Sequence, residues 1–561
     1  MPRKTTTYTL GQGHPMDSLL SQEDQQLLAE LRRYLRENKA SAGITRIRSR
    51  LTEPLPDEDK GRAALLGGLA CRIIDFAADA HDEQAAQEGL SILQDHEELL
   101  RDFFDPGLYE YNMGNALHNL AEHDRAKNAS YRLAYIERLT ESKDYFWRAV
   151  RARGSHERDW PELLINVANT LDECSRTPEA LYWYDEAIRG TPTHAMAHGN
   201  RAQSLIWLKD LTDQVSLNQI GQIHYGLSKA LASRDIPPGA RSRWKKYLQQ
   251  ATKILRAEGY GNAKSLYEKI RIEQEEGPHD SYRKFCLDNG LVLSEHSIYC
   301  HCAHGTYDGL SIPKSSSPIA GDFVPRMELL LNRLKSEFAL ARCLLYQSYP
   351  TKARRWNTEP YESALTDLLD AEVIGIKAEM LRTSFRLCFG TLDRIAHGIC
   401  DLLDLADPNE AIFFHSFWKR PGGKSERQRE RWDKLNRECT PSLVALYSQA
   451  TDLNIKKGQW GHLKHWRDKL EHELLFLVED DRDLGPLFHR ILGFKEPLQI
   501  PVSVFRSETL QLLRFTAAAI INFAFFVRQR ALLLPTTGGP AFTFEDRRKA
   551  GRAPELPARG K

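Results

Sequence analysis

Arg467 and His472 are the residues of this chain whose types and spacing suit chemistry on a phosphodiester. A histidine moves protons near neutral pH. An arginine grips a phosphate with its forked donors. Together they suit cleavage of RNA without a metal. The pair lies in Leu463-Lys464-His465-Trp466-Arg467-Asp468-Lys469-Leu470-Glu471-His472-Glu473-Leu474-Leu475-Phe476-Leu477. Leu463, Trp466, Leu470, Leu474 and Leu477 fall three or four apart, so the whole stretch is expected to form one amphipathic helix. Arg467 borders the apolar stripe, whereas Asp468 and His472 lie off it. Five steps of roughly 100° put His472 about 140° around the axis from Arg467. A site using both must therefore bend around the helix.

Spacing alone does not single this pair out. Arginine followed at a similar distance by histidine recurs at Arg151/His156, Arg189/His194 and Arg482/His489. Those pairs stand in stretches broken by Gly154, by Gly190 with Pro192, or by Gly485 with Pro486. Only Arg467/His472 sits inside a strong helical pattern. The competing reading is a solvated arginine and histidine on a bundle surface.

Positive charge gathers near the motif. Lys456, Lys457, His462, Lys464 and His465 precede it, and Lys419 to Lys434 holds seven cations against three anions, with Trp418 and Trp432 alongside. Such a rim suits a phosphate chain. Lys456, Lys457, Lys464, His465, Arg427, Arg429 and Arg431 are accordingly the candidate RNA contacts, against the alternative of a solvated, flexible loop over 419–434.

The rest of the composition sets bounds. The chain has 561 residues, 77 Lys+Arg against 76 Asp+Glu, and net charge +1. Two or three domains are expected. No global basic bias marks a nucleic-acid binder, so any such site must be local. Nine cysteines, most of them scattered, fit reduced thiols in a cytoplasmic protein. Cys300-His301-Cys302-Ala303-His304 crowds four potential ligands, but no second cluster stands at a standard zinc spacing, so an ordinary loop with no metal is expected. No cofactor is implied. The N-terminus lacks an apolar signal core. The apolar run Phe515 to Val527 is short for a bilayer and is expected to be a buried helix rather than a membrane contact.

Helical periodicity dominates the positioning elements, and β-branched alternation is nearly absent, so an all-α fold without a sheet is expected. A flexible tail over 1–18 leads to a helix capped by Ser21 with Asp24, and helices follow near 62–79 and 85–103. Leu164, Val167, Ala168, Leu171, Ala180, Tyr184, Ala187 and Pro192 then match, in residue type, a frame of about 34 residues. That pattern resembles the tetratricopeptide repeat (TPR), with Leu164 in place of the usual tryptophan. Ala202 and Leu205 continue it, and Gly114, Leu117 and Ala126 form a weaker copy upstream. An irregular TPR-like solenoid over 19–258, binding a protein or peptide, is the expectation, against a scaffold that packs only on its neighbour. A further helix is read at 241–257. The acidic run 273–278 and the serine-rich loop 311–325 fall in a connector over 259–324. A helical bundle follows over 325–532, its five stripes starting near Leu330, Leu381, Leu443, Leu463 and the cap at Ser507. A disordered tail is expected over 533–561.

The bundle resembles the HEPN superfamily of helical ribonucleases, most closely a prokaryotic subfamily with TPR-like helices in front. The resemblance rests on helix order, on Arg467-Asp468-x-x-x-His472 and on the first helix around Ser336 to Tyr346, with Tyr282 to Leu293 as a lead-in. It implies a metal-independent endoribonuclease. His472 would move the ribose 2′-hydroxyl proton, Arg467 would stabilise the phosphate, and Asp468 would orient one of the two. It also implies a homodimer sharing one cleft, and a setting in defence or toxin systems. Members without catalysis keep a scaffold with a dimerising bundle as the alternative.

Overall fold

A computed structural model of the chain describes residues 19–127, 133–154, 160–212, 215–234, 236–260, 266, 268–269, 280–312, 323–349, 372–405, 411–418, 426–473, 475–480 and 498–533. The two expected tails, the acidic run 273–278, most of the serine-rich loop and residues 419–425 lie outside the described residues.

The fold is all-α, as the periodicity predicts. Helix α1 (Gln22–Arg36) starts at Ser21, whose Oγ accepts the Asp24 N–H, the expected capping signature. Then come α2 (Ala40–Leu51), α3 (Asp59–Ala80), α4 (Glu83–Asp95) and α5 (Glu97–Phe103). The single helix expected over 85–103 breaks at His96, which leaves helical geometry (φ −120°, ψ 27°). Tandem helix pairs follow: α6 (Leu108–Lys127) with α7 (Glu137–Arg153), α8 (Pro161–Glu173) with α9 (Thr177–Gly190), and α10 (Ala195–Leu208) with α11 (Leu217–Ala232). Ala168, Ala180 and Tyr184 are fully buried, and the Tyr184 hydroxyl donates to Asn169 Oδ1 at 2.7 Å, tying α9 to α8. Helix α12 (Pro238–Ala257) lies on α11. Its Trp244 presses on Gly199 of α10, where a Cβ would stand 2.2 Å from the indole. Only glycine admits that approach.

The connector holds α13 (Ser281–Asp288) and 3₁₀ turns at His296–Ile298 and Ala303–Thr306. The C-terminal bundle is α14 (Phe323–Ser348), α15 (Ile376–Leu402), α16 (Glu426–Arg437), α17 (Pro441–Asp452), α18 (Gly461–His472) and α19 (Val502–Leu532). Helix α19 packs against α14, α15 and α17 and is the central helix. It begins five residues before the expected Ser507 cap, because Asp480 Oδ1 accepts the Ser503 N–H and Ser507 points to solvent. Among the described residues it is the one helix long and apolar enough to cross a membrane, and its apolar stretch is mostly buried inside the bundle. A small sheet departs from the expected absence of strands. β1 (Leu475–Val478) runs parallel to β2 (Leu498–Pro501), with Leu475 opposite Leu498 and Leu477 opposite Ile500.

Two apolar cores result. One draws on residues between Leu20 and Ala197. The other runs from Ala121 through α9–α12 and the connector to Val527, so repeats, connector and bundle share it. The junction is also bridged by charge: Asp452, fully buried, meets Lys143 Nζ at 2.6 Å and Arg176 Nη1 at 2.5 Å.

Candidate active site

Helix α18 presents the motif, and both of its ends are fixed. At the start, the turn from α17 is closed by the Trp460 N–H donating to Asp452 O at 2.7 Å and the Gly458 N–H to Asn454 O at 2.8 Å. A Cβ on Gly461 would come 2.3 Å from Asn454 O, so the chain can enter α18 this way only with glycine there. At the other end, Arg386 of α15 donates to Leu470 O at 2.9 Å and lies 3.4 Å from Glu471. A cation there offsets the carbonyl end of the helix dipole. The helix stops at His472, five residues short of the expected end: Glu473 is extended (φ −141°, ψ −158°) and Leu475–Val478 pairs in the sheet. An apolar residue at 475 and 477 serves a strand as well as Leu474 and Leu477 would serve a helix.

His472 is exposed and has no hydrogen-bond partner among the described residues. Arg467 is partly covered, its side chain 24 % accessible. Its guanidinium lies 3.7 Å from Asp393 Oδ2 and 3.9 Å from Asp468 Oδ1, and 5.9 and 5.8 Å from the Phe389 and Phe413 ring centres. Asp393 on α15 accepts the Phe414 N–H at 2.9 Å. Burial pushes its carboxyl above the usual range; the Phe414 N–H and then the Arg467 charge oppose that rise. The Arg467 guanidinium therefore lies near two rings, with the Asp393 carboxylate 3.7 Å away. Those neighbours orient it.

The remaining expected contacts divide. Lys456 and Lys457 are exposed in the turn before α18, and His465 is exposed on the helix. Lys464 is 13 % accessible and bound to Asp468 at 2.8 Å, so Asp468 serves Lys464 before Arg467. Residues 426–434, expected as loop, are helical in α16, which packs on the turn Leu133–Ile136 of the repeat region. Arg427 and Arg429 are exposed there, but Arg431 is buried at 8 % exposure. It faces the interior because Trp432 and Leu435 make the same side of α16 apolar. Asp393, Phe389, Phe413 and Arg386 were invisible as site residues. Asp393 follows the seam residue Leu392, which places it beside the bundle, but nothing in the sequence pairs it with a residue 74 positions on.

Residues 320–530 match the family model described as LA2681-like HEPN. The C-terminal bundle is a HEPN-superfamily domain. No curated protein and no solved structure matches the chain. The HEPN match contains α14 through most of α19, with the whole of α18 and its Arg467 and His472.

Proposed function

We propose that the chain is a metal-independent endoribonuclease of the cytoplasm, with its HEPN domain as the catalytic unit and its TPR-like helix pairs as the surface on which a protein or peptide recruits or restrains it. The observation that carries this reading is the presentation of Arg467 and His472 to solvent from one helix of a HEPN domain. His472 takes the proton of a ribose 2′-hydroxyl. The freed oxygen attacks the adjacent phosphorus, the bond to the 5′-oxygen breaks, and that oxygen is protonated. The products are a 2′,3′-cyclic phosphate and a 5′-hydroxyl. Arg467 neutralises charge on the phosphoryl oxygens. Asp468, 3.9 Å away, steadies it. In a homodimer two motifs face one cleft, so one His472 removes a proton while the other supplies one. Lys456, Lys457 and His465 hold flanking phosphates.

The test compares wild type with His472→Ala and Arg467→Ala on mixed RNA with magnesium withheld, reading product ends. His472→Ala is expected to lose about 10²- to 10⁴-fold in rate, and Arg467→Ala about 10²- to 10³-fold. Equal cleavage by all three proteins would place the activity elsewhere.

A second reading is a non-catalytic interaction protein whose bundle dimerises. It is favoured by the contacts of Arg467 within its own bundle, to Asp393, Phe389 and Phe413. In that case Arg467→Ala lowers the melting temperature and no RNA is cut by wild type.

A further inference from the structure

The connector loop gathers a different set of ligands from the one its sequence suggests. Cys300 and Cys302 are buried, at 0 % and 1 % exposure. His301 of the Cys-His-Cys run is exposed, and His296, four residues before Cys300, takes its place. One ligand atom from each of His296, Cys300 and Cys302 lies within 4.8 Å of the others, and His296 Nε2 is 3.1 Å from Cys302 Sγ. A tetrahedral zinc with bonds of about 2.1 Å to nitrogen and 2.3 Å to sulfur needs N–S edges of roughly 3.6 Å. The His296–Cys302 edge reaches that length by opening about half an ångström.

The surroundings favour a metal over a merely packed loop. A neutral thiol is a weak acceptor, yet Asn218 Nδ2 donates to Cys300 Sγ at 3.2 Å. His296 Nε2 faces the Cys302 sulfur from the other side of the cluster. Donors aimed at sulfur stabilise thiolates, the form that ligates. The other ring nitrogen of His296, Nδ1, meets the Tyr299 hydroxyl at 3.3 Å, which in turn meets Ser216 Oγ at 2.8 Å. A partner on Nδ1 is what fixes an imidazole with Nε2 toward a metal.

We propose that His296, Cys300 and Cys302 bind zinc. Binding releases the two thiol protons to solvent, and the two thiolates neutralise the ion. Water or a further donor fills the fourth position. Zinc suits two sulfurs and a nitrogen, where magnesium or calcium would ask for oxygen. The ion would clip the connector to the repeats, because Ser216 and Asn218 at the start of α11 supply the outer contacts. This sets aside the expectation of an ordinary loop and leaves the chemistry at Arg467 and His472 metal-independent.

The full chain, purified with its thiols reduced, is titrated with zinc against a chromogenic chelator and separately with cobalt. One zinc per chain and a thiolate-to-cobalt charge-transfer band are expected. Cys300→Ser with Cys302→Ser should lose both, while Cys343→Ser, outside the cluster, should keep them. Should the double variant fail to fold, two single variants decide. Tyr299→Phe should weaken zinc about 10- to 100-fold, and His296→Ala by more. A wild-type chain without the charge-transfer band overturns the proposal, as does unchanged affinity in both single variants.

Discussion

Arg467 shows how far single residues can be read from sequence. Its type and its place beside an apolar stripe predicted a guanidinium at the edge of the bundle, and there it lies. Its setting was not legible. The rings of Phe389 and Phe413 and the carboxylate of Asp393 come from elsewhere in the chain, and local periodicity carries no information on such pairings. The same holds for Asp144 of α7. It looks like an ordinary helix-surface acid, but its side chain is 13 % accessible and Oδ1 lacks a hydrogen-bond partner. Burial raises its pKa from 3.8 to about 7, against the opposing pull of Lys143. The folded chain therefore holds this proton more tightly than the unfolded chain. Its stabilising effect is whole below pH 3.8 and is lost as pH rises through 7. The loss approaches 1.4 kcal/mol per pH unit, as an order-of-magnitude ceiling of roughly one proton. Asp144→Asn should flatten the fall in urea midpoint across that window and stabilise the chain at its upper end. An unchanged slope would show that another group titrates.

Helices were the most legible level, because burial of one face imposes its period directly on the sequence. The stripes of α14, α15, α17 and α19 were all visible, whereas their ends were less so. Helix α18 is shorter than its spacing predicts, because Leu474 and Leu477 keep helical spacing while Leu475 and Leu477 keep strand spacing. Long-range pairing with Leu498–Pro501 decides between them, and no local pattern contains it. The start of α18 has a cause that the sequence shows only as Gly458-Gln459-Trp460-Gly461. Gly461→Ala would drive a Cβ to 2.3 Å from Asn454 O, a backbone atom that cannot swing aside. The entry to α18 must then shift. A cost of about 1–3 kcal/mol is expected, as for other overpacked sites. Chemical denaturation measures it. Because the shift moves the helix bearing Arg467 and His472, RNA cleavage should fall as well. Native stability and activity in Gly461→Ala would mean that the turn re-forms without touching the helix.

At the scale of the molecule, the N-terminal helix pairs and the HEPN domain are joined at the root of the helix that carries the motif. Asp452 ends α17, accepts the Trp460 N–H that shapes the turn into α18, and is enclosed by Lys143 and Arg176 from the repeat side. No sequence pattern links residues some 300 positions apart, so this joint was hidden, even though the helices on either side of it were not. On the proposed reading, in which a partner binds the helix pairs, movement of α7 or α9 would pull on the residue that sets the start of α18. Removing one member of a buried charge set strands the others, and such losses cost about 3–5 kcal/mol. Asp452→Ala leaves two buried cations without their shared counter-charge and should destabilise the chain by that amount in urea unfolding. The double variant Lys143→Met with Asp452→Ala should recover part of the loss, since one stranded cation is gone. If the joint also transmits a signal, Asp452→Asn, which keeps the shape and drops the charge, should uncouple cleavage from any partner bound to the repeats while the isolated Arg467–His472 chemistry persists. An Asp452→Ala chain as stable as wild type would show that water reaches the joint and screens it, and the repeats would then have no purchase on α18.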